Sequence, residues 1–121
     1  MPRPTVTVVI PIHNEAGFLR DAVDRLSAQL AAVDADCDIL LAENGSTDGT
    51  QGIAADLAAR WDDLRMLQLP APDYGAAMRQ GFREARGDWV VNFDIDYFSG
   101  EFLQAGLALG DAADVVLASK R

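Results

Sequence analysis

Asp94 and Asp96 stand one residue apart at the end of the run Trp89-Val90-Val91-Asn92-Phe93. That run is apolar except for Asn92, the composition of a buried parallel strand covered by helices on both faces. On a continuing strand the two aspartates point the same way, with Cα atoms about 6–7 Å apart. Carboxylate oxygens so placed can bridge a divalent cation, directly or through water. At the carboxyl end of a strand in an open α/β sheet they would stand in the ligand crevice. The other reading is structural, because a D-x-D also opens a loop and caps the helix that follows.

Two further polar clusters invite the same question. His13, Asn14 and Glu15 follow Pro11-Ile12. His13 can hydrogen-bond to a base or stack on it, and Glu15 can accept from a ribose hydroxyl. Structurally, Asn14 would cap the next helix and Glu15 would be a first-turn acid favoured by the helix dipole. No second His or Cys accompanies His13, which argues against metal ligation there. The second cluster is Glu43-Asn44-Gly45-Ser46-Thr47-Asp48-Gly49-Thr50. It reads as a nucleoside pocket with Glu43 or Asn44 on the base edge, or as ordinary turn and cap chemistry. Arg79, Arg83 and Arg86 recur at helical spacing and offer either a phosphate contact or a solvated face.

Alternating strands and helices must bring these clusters together. Thr5 to Pro11 is rich in β-branched residues and reads as a first strand, with Pro11 ending the ladder for want of an N–H. Phe18, Leu19, Ala22, Val23, Leu26 and Leu30 carry a helical period through a helix expected from Ala16 to Val33. Asp38 to Ala42 is a second strand, Thr50 to Trp61 a helix, and Leu64 to Leu69 a third strand. After the stiff Pro70-Ala71-Pro72 connector comes a helix from Tyr74 to Ala85, closed by Gly87. Ser99 caps a helix through Leu109, and Asp114-Val115-Val116-Leu117-Ala118 is a fifth strand. The class is α/β, a Rossmann-like, mainly parallel sheet with helices on both faces. Each strand-to-helix loop then opens at one sheet edge, which gathers Pro11–Glu15, Glu43–Thr50 and Asp94–Asp96.

Composition narrows the function classes. The 121 residues are half hydrophobic, enough for one domain over 1–121 with a real core. The net charge is −9 and Lys120 is the only lysine, which argues against nucleic acid or an anionic membrane as partner of this segment. Acidity does not forbid a nucleotide, since a metal and helix N-termini can hold phosphates. No run approaches the roughly 18 apolar residues of a membrane span. One cysteine, Cys37, at the start of an apolar run, suits a small hydrophobe in a reducing cytoplasm.

V-V-I-P-x-x-N-E, then E-N-G-S-T-D-G-T, then A-R-G-D-W-V-V-N-F-D-x-D occur in that order, each at a strand-to-helix junction. The combination resembles the nucleotide-sugar-binding half of a family 2 glycosyltransferase with the GT-A fold. The nearest likeness is to the polyprenyl- and dolichyl-phosphate sugar synthases, and Asp73 to Phe82 also resembles the stretch before the DXD motif. The resemblance implies that Pro11, His13 and Glu15 contact the nucleoside. It implies a base-facing role for Asn44, where the family usually has aspartate, with Glu43 at the preceding acidic position. Asp94 would lie near the sugar and ribose, and Asp96 would ligate Mn2+ or Mg2+ on the diphosphate of a nucleoside-diphosphate sugar. His13 replaces the family's commoner tyrosine.

The resemblance further implies a longer parent, whose second half supplies the catalytic base and the acceptor side. The acceptor would be a lipid phosphate, and the parent would be membrane-associated. A non-catalytic nucleotide-binding or homodimerising module of the same fold is the alternative. A signalling receiver domain would need an acidic pair after the first strand, where this chain has Pro11-Ile12-His13. A dinucleotide-binding domain would need a G-x-G-x-x-G there, which is missing.

Overall fold

The computed structural model describes residues 3–110, so the expected fifth strand at 114–118 lies outside the described residues. Four strands form one sheet: β1 (Thr5–Ile12), β2 (Asp36–Asn44), β3 (Leu64–Leu69) and β4 (Trp89–Asn92). Their order is β3-β2-β1-β4, and every pairing is parallel. The helices α1 (Leu19–Ala31), α2 (Thr50–Arg60), α3 (Tyr74–Glu84) and α4 (Gly100–Leu109) alternate with them. This is the α/β arrangement expected from the pattern.

β1 lies centrally because its β-branched side chains fill both faces. Val6, Val8, Ile10 and Ile12 pack with Leu19, Val23, Leu26, Ala54, Leu57 and Leu103 in one core under α1, α2 and α4. Each such aliphatic burial contributes about 1.5–3 kcal/mol. On the opposite face α3 lies so close to β1 that a Cβ on Gly81 would meet Val9 Cγ1 at 2.5 Å. The lower end of the sheet is tied by buried Thr7. Its hydroxyl donates to Asp38 Oδ1 at 2.7 Å and accepts the Gly87 N–H at 2.9 Å.

Four expectations need correction. β1 runs through Pro11 to Ile12, in register with β2 up to Glu43. Val9 accepts from the Phe93 N–H, so by strand alternation the Pro11 nitrogen faces the side where β4 has already ended. Proline therefore costs no ladder bond. Next, α1 begins at Leu19 without a side-chain cap, and Asn14 does not cap it. Asn14 instead adopts φ 53° and bonds to a different loop. Likewise α3 ends at Glu84, with Ala85 already extended ahead of Gly87. Finally, β4 alternates between half-buried and exposed positions, and Val90 is 42% exposed. It is the last strand of the described sheet, and the described helices cover it only in part.

Candidate functional site

The chain leaves β4 in a tight turn rather than as a continuing strand. The Tyr97 N–H donates to the Asp94 carbonyl at 3.1 Å, and the two residues form an antiparallel bridge. Phe93 and Ile95 are buried, 8% and 3% exposed, while Asp94 and Asp96 are exposed. Phe93 sets its ring against Phe102 of α4 in an edge-to-face contact, centroids 6.3 Å apart. The apolar residues thus anchor the turn and leave its carboxylates in solvent. The continuing strand expected for the pair gives way to a turn, with both residues still just past the strand's carboxyl end.

The β1 and β2 loops are laced together. The Asn14 N–H donates to Ser46 Oγ at 2.9 Å, and Asn14 Oδ1 accepts the Thr47 N–H at 2.9 Å. The Glu15 N–H donates to Thr50 Oγ1 at 2.8 Å, and the Ala16 N–H to Asp48 Oδ2 at 3.2 Å. His13 Nδ1 lies 2.7 Å from the Asn44 carbonyl. A carbonyl only accepts, so Nδ1 carries a proton, and Nε2 lies 3.3 Å from Asn14 Nδ2.

Glu43 is fully buried under this lacing. Its Oε2 accepts the Ser46 N–H at 2.8 Å, and Oε1 has no partner among the described residues. Asn44 Oδ1 accepts the Asp73 N–H at 2.6 Å, which ties the β2 loop to the start of α3. Asp73 in turn caps α3 by accepting the Ala76 N–H at 3.0 Å.

These loops border one cleft of about 180 Å³, lined by Pro11, Ile12, His13, Glu15, Asn44, Tyr74, Asp94, Ile95 and Asp96. Of the residues expected at a nucleotide-sugar site, Pro11, His13, Glu15, Asn44, Asp94 and Asp96 meet there, and Glu43 lies beneath rather than on the wall. A larger hollow of about 810 Å³ lies between α1 and α4, and none of the cleft's carboxylates borders it. Ile12 and Ile95 are additions that sequence reasoning did not assign. Tyr74, which its place just after the prolines that follow β3 left open as a crevice residue, lines the cleft as well.

The cleft is electronegative. Burial pushes the Glu15 carboxyl above its ordinary value, and the nearby Asp96 and Asp48 charges push it further, against a smaller opposing effect of His13. Burial and then the Asp94 charge raise the Tyr74 phenol. Among the described residues no three His, Cys, Asp or Glu side chains gather as a closed metal cage. Two exposed carboxylates at one strand end do match the way Mg2+ is commonly held, by one or two carboxylates plus substrate phosphates.

The described helices include none long and apolar enough to cross a membrane. Comparison with known proteins agrees with the fold. The chain is 33% identical over 93 residues to an undecaprenyl-phosphate 4-deoxy-4-formamido-L-arabinose transferase of Aeromonas hydrophila, covering 75% of this chain and 28% of that protein. It thus spans under a third of that relative's length. It is 28% identical over 102 residues to the uncharacterized glycosyltransferase EpsJ of Bacillus subtilis, covering 84% of this chain and 29% of that protein. Among solved structures, mannosyltransferase PcManGT from Pyrobaculum calidifontis, in complex with GDP-Man and Mn2+, aligns with TM-score 0.75 and 27% identity. That alignment covers 90% of this chain and 33% of PcManGT. S. aureus TarS shares the fold at TM-score 0.70 and 22% identity, over 89% of this chain and 20% of TarS. The glycosyl transferase family 2 profile matches residues 7–117, and the chain belongs to that family.

Proposed function

We propose that this chain forms the donor site of a glycosyltransferase that moves a sugar from a nucleoside diphosphate to an acceptor. The observation that carries the reading is the meeting of Pro11, His13, Glu15, Asn44, Asp94 and Asp96 around one cleft. A relative named for undecaprenyl phosphate supports a polyprenyl phosphate as the acceptor. The PcManGT complex supports a nucleotide sugar and a divalent cation as the bound species.

In this reading Pro11, His13 and Glu15 contact the nucleoside, Asn44 faces the base, and Glu43 holds the Asn44–Ser46 turn from below. Asp94 faces the sugar and ribose, and Asp96 holds Mn2+ or Mg2+ together with the diphosphate. When bound, the cation supplies a Lewis acid for the charge that develops on the departing nucleoside diphosphate. The chain's own part is to orient the donor. The cleft is smaller than the ~300–1,000 Å³ of typical small-molecule sites, so it encloses part of a nucleotide sugar and leaves the rest open.

Electron paramagnetic resonance of free Mn2+ tests the reading. Two carboxylates alone hold Mn2+ weakly, so the free-ion signal should fall in a ternary mixture with UDP or GDP beyond its fall with nucleotide alone. Equal signals with and without protein, for both nucleotides, would overturn it.

A further inference from the structure

Asn44 has a fixed hydrogen-bonding polarity. The Asp73 backbone N–H can only donate, so the 2.6 Å contact holds Asn44 Oδ1 toward the β3–α3 connector. The main-chain carbonyl of Asn44 is engaged as well, by His13 Nδ1 at 2.7 Å. Asn44 lines the cleft, and the bonds it makes among the described residues engage its Oδ1 and its main-chain carbonyl, not its amide Nδ2. The connector also passes close to the Gly45 backbone. A Cβ there would meet Ala71 C and Pro72 N at 2.7 Å.

We infer that Asn44 offers the cleft a hydrogen-bond donor that meets the keto/amino edge of the nucleobase, so the base bound there must present an acceptor, a carbonyl or an unprotonated ring nitrogen, at that edge. This rests on the donor-site reading and adds the specificity rule of that site. Bases divide by this rule. Uracil and guanine carry a carbonyl where cytosine and adenine carry an amino group, and an N–H where those carry a bare ring nitrogen. A donor at one of these positions accepts one member of each pair and leaves itself unpaired against the other.

Asn44→Asp reverses the polarity at nearly constant shape. One carboxylate oxygen still accepts from the Asp73 N–H, and the other replaces the NH2 with an acceptor. The added negative charge weakens all diphosphates together, so the readout is a ratio. Affinities for UDP, CDP, GDP and ADP are measured with Mn2+ for the wild-type chain and for N44D. The UDP:CDP or GDP:ADP ratio of the preferred pair should move by about tenfold or more, because a donor that the base covers and leaves unpaired is costly. In the wild-type chain the Asn44 side-chain NH2 resonances should move downfield with the preferred nucleotide and not with its keto or amino counterpart. Ratios that stay the same in N44D, or NH2 resonances indifferent to the base, would overturn the inference while the donor site stands. No binding of any of the four would overturn the donor site and this rule with it.

Discussion

Asn14 Oδ1 accepts the backbone N–H of Thr47, 33 residues further along the chain, at 2.9 Å. With the return bond from the Asn14 N–H to Ser46 Oγ, the two loops at the sheet's carboxyl edge are tied to each other. The positive φ of Asn14, 53°, makes this geometry possible, since asparagine tolerates the left-handed region better than other side-chain-bearing residues. Asn14→Gly keeps the backbone and loses the Oδ1 bond, for an expected cost of about 0.5–1.5 kcal/mol in urea unfolding. Asn14→Val adds strain of roughly 1–2 kcal/mol. Equal stability of the two variants would contradict this role.

Glu43 sits fully buried with one oxygen on Ser46 and the other unpartnered. Glu43→Gln keeps the shape and the Ser46 bond, so its unfolding midpoint should match or exceed that of the wild type. Glu43→Ala removes the acceptor and leaves a cavity, with an expected loss of about 2–4 kcal/mol. A Gln variant as damaged as the Ala variant would show that both oxygens accept bonds.

The edge of the sheet was legible in sequence, and its wiring was not. Strand residues such as Val6 to Ile10 and the helical period of α1 depend on local pattern, which sequence carries directly. The placement of the three loops followed from topology alone. Asn14 misled because its cap chemistry is identical whether it serves the next helix or a loop far along the chain. Asp94 and Asp96 misled in a different way. The buried Phe93 and Ile95 continue the strand's alternation, so nothing local marks the turn that the Asp94–Tyr97 bridge closes. Glu43 looked like a wall residue because acids are usually exposed, and only its full burial in the fold places it below the cleft.

Gly45 has φ +64°, and its missing Cβ leaves room for Ala71 and Pro72. Gly45→Ala should therefore cost at least about 1–3 kcal/mol through strain and overpacking. It should also weaken nucleotide binding, because the Asn44–Asp73 contact shifts with it. Thermal unfolding together with nucleotide titration checks both. Unchanged values in both would contradict this close approach.

Two carboxyls give opposite pH slopes. Glu15 is raised above 4.5, so the folded chain holds that proton more tightly than the unfolded chain. Its contribution to stability is therefore present at low pH and is lost as pH rises from the ordinary glutamate range through the raised value. Asp48 is lowered below 3.8, first by the Thr50 hydroxyl bond. Its contribution is present above that value and is lost as pH falls through the lowered one. Chemical unfolding across this acid range should thus show Glu15→Gln flattening the upper limb and Asp48→Asn the lower one. The reverse assignment would contradict the electrostatics of the cleft.

The most direct test of the donor site is calorimetric titration of the chain with UDP and GDP, with and without Mn2+, repeated for Asp96→Asn. The account predicts that one nucleotide binds, that omitting Mn2+ weakens it, and that Asp96→Asn makes affinity indifferent to Mn2+. Binding equally tight with and without metal, or unchanged metal dependence in Asp96→Asn, would contradict the assignment of Asp96 to the cation and diphosphate.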